Sequence, residues 1–150
     1  LRDNRSDQRR SKEIIMSRRP DDIPTRQFDW GTIKWLVASE LGDDAGITVG
    51  EVIIYPGQGH APHTHEAEEV LYIISGEGKQ TVGEGSEAYP VVAGDVVYVP
   101  YGAVHSTYNT SWSPMRLIAV YNPRGPEKLL DDAPDARILE PGVPPLWVQG

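Results

Sequence analysis

The sequence has no cysteine. That excludes disulfides, thiolate metal sites, iron–sulfur clusters and a cysteine nucleophile, while leaving the compartment open. No run of about 18 apolar residues occurs, so no segment reads as a membrane-spanning helix. The N-terminal stretch lacks the apolar core of a signal peptide, and the expected location is cytoplasmic. The chain opens at Leu1, which reads as a trimmed start. Cations are scarce: 14 Lys and Arg stand against 22 Asp and Glu, a formal net charge of −8. Nucleic acid is not an expected partner, because phosphate binding needs clustered cations. No long stripe of helical period is present either.

What the sequence does hold is turn chemistry. Its 150 residues, the length of one domain, include 15 glycines and 13 prolines. Short strands are predicted over 33–38, 47–55, 70–75, 79–82, 88–92, 96–99, 105–109 and 115–121. They recur at roughly 8–12-residue spacing with Pro, Gly and Asp between them, the pattern of a sandwich or barrel. The positive charge that exists gathers at residues 1–20, with 7 Lys or Arg against 3 acids. Residues 1–22 are read as a disordered or extended arm; the competing reading is contact with an anionic surface. Residues 21–29 read as a loop. A helical turn is expected near 127–130. The stretch 126–150 is read as an irregular tail, since six prolines fall between 123 and 150. Leu146 and Trp147 are expected to anchor it on the barrel, taken as 23–125, or on a partner subunit.

All four histidines lie between positions 60 and 105. His63 and His65 are one residue apart, and on a strand both imidazoles face the same way. Glu69 follows across a bend, and His105 comes from a distant strand that a closed sheet can bring alongside. Three imidazoles and a carboxylate suit Zn, Fe, Mn, Ni or Co. They do not suit Ca or Mg, which want oxygen shells. Taken singly each residue has a plainer reading: a solvated pair of histidines, an acidic surface run at Glu66, Glu68 and Glu69, a hydrogen-bonded core histidine.

The spacing joins them. Gly57, five residues, then His63-x-His65, three to Glu69 and six to Gly76 matches the first cupin motif. Gly94, five residues, Pro100, one, Gly102, two, His105, three and Asn109 matches the second. The sequence therefore resembles a small single-domain cupin over about residues 47–122. The resemblance implies an all-β fold, the double-stranded β-helix or jelly-roll-like barrel. It also implies one divalent transition metal per subunit, zinc first, held by His63, His65, Glu69 and His105. Four protein ligands on an octahedral ion leave two positions open for a reacting molecule, unlike a closed structural zinc. Cupins usually assemble, so a homodimer or larger homo-oligomer is the expectation.

Further candidates surround this set. His60 could be an extra ligand in place of Glu69, an acid/base group behind the ligands, or a rim residue. Glu51 could face the cavity as a proton acceptor, or lie on a solvated strand face. Tyr55, Tyr72, Tyr98 and Tyr121 could wall a pocket for a planar ligand, or pack in the core. Trp30, Trp35, Trp112 and Trp147 are assigned to packing or subunit contacts. Arg116 or Arg124 could bind a carboxylate.

The partner is expected to be a small-molecule substrate. Three functions remain open on this fold. The first is Lewis-acid catalysis on a carbonyl-bearing or aromatic compound, by cyclisation, enolisation or isomerisation; the sequence also resembles, more weakly, cupin-type aromatic polyketide cyclases. The second is a metal-dependent dioxygenase. The third is a non-catalytic cupin that binds a sugar or effector.

Overall fold

The structure, a computed structural model, describes residues 17–145. Leu146 and Trp147, and most of the basic arm, lie outside the described residues. Eleven strands and one helix follow in chain order. They are β1 (Thr25–Phe28), β2 (Gly31–Val37), β3 (Thr48–Ile54), β4 (Gly59–His63), β5 (Glu68–Ser75) and β6 (Glu77–Val82). β7 (Tyr89–Val92), β8 (Val96–Val99), β9 (His105–Tyr108), β10 (Met115–Asn122), α1 (Glu127–Asp131) and β11 (Arg137–Leu139) complete them. Among the described residues no helix is long and apolar enough to cross a membrane.

The strands form two antiparallel sheets. One has seven strands in the order β11-β1-β2-β3-β10-β5-β8; the other has four, β4-β9-β6-β7. Alternation of side chains explains how they close on one core. In β3, Thr48, Gly50, Val52 and Ile54 are buried while Val49, Glu51 and Ile53 are not. β5 and β10 alternate in the same way, burying Leu71 and Ile73 against Leu117, Ala119 and Tyr121. This period of two is that of half-buried strands, with the apolar row turned inward. Trp35, fully buried, is the largest core side chain. It lies over Gly50, where a Cβ would come within 2.9 Å of the indole, so the glycine makes room for it.

Three strands differ from the sequence reading. β1 lies in the stretch read as a loop, and β11 in the tail read as irregular. They pair with each other, Arg26 opposite Ile138. β1 also pairs with β2, Arg26 opposite Ile33, and β11 completes its outer edge. β4 carries Pro62 and two histidines, and pairs with β9 at the sheet edge, where proline is tolerated.

The loop between β9 and β10 is held by Asn109. Its amide donates to the carbonyl oxygens of Ile54 (3.0 Å) and Ser113 (2.7 Å), and its Oδ1 accepts from the Ser111 backbone N–H and hydroxyl. Asn109 is buried. Asn109→Ala leaves the Ile54 carbonyl without this donor and is expected to cost about 1–3 kcal/mol in urea unfolding. A loss within about 0.5 kcal/mol, the ordinary range of surface substitutions, contradicts this anchoring role.

Candidate metal centre

The site lies inside the barrel and draws on both sheets. β4 brings His60 and His63, β9 brings His105 and Thr107, and the bend after β4 brings His65. From the larger sheet, β5 brings Glu69 and β10 brings Tyr121, which stand opposite one another in the ladder.

A bulge explains how His60 and His63 come to share a face. On β4, His60 is opposite Thr107 and His63 opposite His105, so three steps along β4 match two along β9. The extra residue reverses the alternation once. Both imidazoles thereby line the same cavity. The sequence expectation of His63 and His65 on one strand is modified: β4 ends at His63, and His65 reaches the site from the bend.

Each of the three motif imidazoles is oriented by a backbone carbonyl. His63 Nδ1 is 2.8 Å from Ala61 O, His65 Nδ1 is 3.1 Å from Ala67 O, and His105 Nδ1 is 2.9 Å from Ala103 O. A carbonyl only accepts, so each Nδ1 carries the proton. In the neutral ring each Nε2 then keeps its lone pair, the form in which imidazole binds a metal. Ligand nitrogens of His63, His65 and His105 lie within 4.8 Å of one another, a group able to hold one ion.

Glu69 sharpens the case. Its Oε2 is 3.0 Å from His65 Nε2 and 2.8 Å from His105 Nε2, with all three side chains buried. His105 Nε2 has no aligned hydrogen-bond partner despite that contact. A neutral His105 ring would set two lone pairs against each other at 2.8 Å in a buried site. Only a proton or a cation between them relieves this, and a divalent transition metal fits the donor set. Burial disfavours charge on His105, but the Glu69 carboxylate outweighs it and holds the imidazole above its ordinary range. Burial alone would raise the Glu69 carboxyl; the two imidazoles bring it down to about 2. Tyr121, fully enclosed, donates its hydroxyl to Glu69 and sets its ring edge-on to His65, 5.1 Å between centroids.

His60 stands in a column of rings. Trp30 stacks on one side (4.9 Å, 16° between planes) and His63 on the other (3.8 Å, 31°). Phe28 backs Trp30 at 5.0 Å. The His60 ring nitrogens fall outside the group formed by His63, His65 and His105. His60 as placed is thus a neighbour of the centre rather than a ligand shared with His63.

The remaining candidates separate cleanly. Tyr121 lines the cavity; Tyr55, Tyr72 and Tyr98 do not. Tyr72 and Tyr98 are outward and half exposed, because Leu71, Ile73, Val97 and Val99 take the inward positions. The Tyr98 hydroxyl donates to Glu68. The Tyr55 hydroxyl bonds Gln27. Glu51 also faces outward, bound by Arg116 at 2.5 Å, so it cannot serve the cavity as a base. Arg124 holds the Ala45 carbonyl. Trp30 and Leu130 are wall residues that the sequence reading did not assign to the site. Nothing in their spacing marks them; stacking and the approach of α1 put them there.

Comparison with known proteins agrees with this geometry. Residues 50–121 match the Cupin domain. An oxalate-binding protein of Thermotoga maritima is 36% identical over 114 residues, covering 74% of this chain and 89% of that protein. The chain belongs to the cupin family and is a single-domain cupin. A solved Thermotoga maritima structure, described as a predicted oxalate decarboxylase, superposes with TM-score 0.61 at 25% identity, over 73% of this chain and all of that one. Oxalate decarboxylase of Bacillus subtilis superposes with TM-score 0.59 at 24% identity, which speaks for the fold. That match takes in 65% of this chain and 26% of the longer enzyme.

Two outcomes are expected. His105→Ala should weaken metal retention on the order of a hundredfold or more, whereas His60→Ala keeps the ion, both read by elemental analysis after dialysis. Equal loss from both would make His60 a ligand. The second concerns acid. Burial first pushes His60 down to about 4 and His63 to about 3, from an ordinary 6.5. Between pH 6.5 and those values the unfolded chain binds more protons, so stability falls as pH falls. Glu69 adds loss below its ordinary 4.5. His105, raised, acts the opposite way, favouring the fold below 6.5. The ion-free protein should therefore melt lower at pH 4 than at 6.5 in a thermal scan; a flat or rising midpoint refutes the balance.

Proposed function

We propose that this cupin holds one divalent transition-metal ion, zinc first, on His63, His65, His105 and Glu69, and acts on a small carbonyl-bearing acid. The observation that supports it is the convergence of three imidazoles, held by carbonyl-bound Nδ1 atoms, on one point beside a buried carboxylate oxygen. A bound ion supplies Lewis acidity to a carbonyl or carboxyl oxygen. The chain's residues do the rest. Tyr121 steadies Glu69 through its hydroxyl, and the carbonyls of Ala61, Ala67 and Ala103 steady the rings. His60, kept in place by Trp30, is the imidazole on the wall left to hold or pass a proton at the bound molecule.

Cavity size favours a small ligand. The space is about 30 Å³, room for roughly two waters. A fused aromatic ring exceeds that space, so the smaller carbonyl compound is the reading put forward. The kinship with an oxalate-binding protein agrees with a compact oxygen chelator.

The test is loading with zinc, manganese or iron, then incubation with pyruvate in heavy water under argon. Loss of the pyruvate methyl proton signal, abolished by His63→Ala, is the expected result. Pyruvate returned unchanged on a metal-loaded protein points to a binding role. Turnover only with oxygen, with oxygen consumed, points to a dioxygenase. Either outcome removes the Lewis-acid proposal.

A further inference from the structure

The charge around the centre limits what can join the ion there; this rests on the metal reading above. A divalent ion brings two positive charges. Three neutral imidazoles change nothing, and the Glu69 carboxylate cancels one. One positive charge remains for a ligand to meet. Apart from His60, an imidazole that can take up a proton, the rest of the wall offers no help. Among the described residues that line the cavity there is no lysine or arginine, and Ile33, Val52, Leu117 and Leu130 make much of its surface. Arg116 is committed to Glu51, and Arg124 to the Ala45 carbonyl. The acids just beyond the wall add to the negative side: Asp135 acts on His60 and Glu127 on Tyr121.

We infer that the cavity accepts one net negative charge, so its ligand is a two- or three-carbon chelating monoanion, an α-keto, α-amido or α-hydroxy acid, in preference to a dicarboxylate dianion. A bound dianion would leave the filled cavity with one net negative charge and no lysine or arginine on the described wall to meet it, and burying an unpaired charge is strongly unfavourable. The volume favours a small ligand. The chain thus departs from what the name of its Thermotoga maritima relative suggests, because oxalate is a dianion at neutral pH.

Oxalate and oxamate test this, being matched in shape and differing by one charge. The full chain is loaded with one ion and its occupancy measured. Each ligand is titrated calorimetrically in two buffers of different ionisation enthalpy, which counts any proton taken up. The same titrations on the free ion give the intrinsic preference of the metal. On the protein the oxalate-to-oxamate affinity ratio should be lower by about tenfold or more, and any oxalate that binds should bring one proton with it. Leu130→Arg places a cation on the wall and should raise the ratio again. A loaded wild-type protein that keeps the free-ion ratio and takes up no proton overturns this inference alone. A chain that takes up no ion overturns the metal reading with it. If Leu130→Arg does not fold, the wild-type comparison still decides.

Discussion

Electrostatic conflict between Glu69 and His105 organises the middle of this barrel. Ala103 O accepts from Nδ1, so a neutral His105 ring would meet the carboxylate with electrons rather than with hydrogen. His65 Nε2 hydrogen-bonds the same oxygen at 3.0 Å. In water such a contact would relax by rotation or hydration. Here all three side chains are buried, and the only resolution is positive charge at that point. The fold thus prepares a demand for a cation before one arrives.

Meeting that demand depends on strand register. Glu69 and Tyr121 are cross-strand partners in one sheet, while His63 and His105 are partners in the other. Neither sheet could build the centre by itself. The bulge in β4 then brings His60 onto the same wall, and Trp30 confines it from the opposite side. Glycine at position 76 helps to keep the sheets in this relation. It turns β5 into β6 with φ of +87°, and a Cβ there would come within 2.9 Å of the Met115 backbone.

Much of this was legible in the residues. β5 and β10 could be predicted from their β-branched runs, and the histidines and Glu69 from spacing together with residue type. The limits came from parity and distance. In Val52-Ile53-Ile54 and Val70-Leu71-Tyr72-Ile73, apolar residues occupy both faces, so the sequence does not say which row points inward. Glu51, Tyr72 and Tyr98 lie on the outward row for that reason. β1 was hidden because it is short and partly polar, and β11 also because its partner is over 100 residues away (Leu139 with Thr25). Trp30 was hidden because its role is a contact with a ring 30 positions on, which no local pattern encodes.

The division of the donors between two sheets has a mechanical meaning. A chain without cysteine has no covalent cross-link, and its sheets are joined by packing and a few turns. An ion grasped by β4, β9 and β5 at once would act as a rivet through the barrel wall, adding its binding free energy to the stability of the fold. Foldedness would then rise and fall with the free metal in the surroundings, and the molecule would be most robust where its cofactor is plentiful.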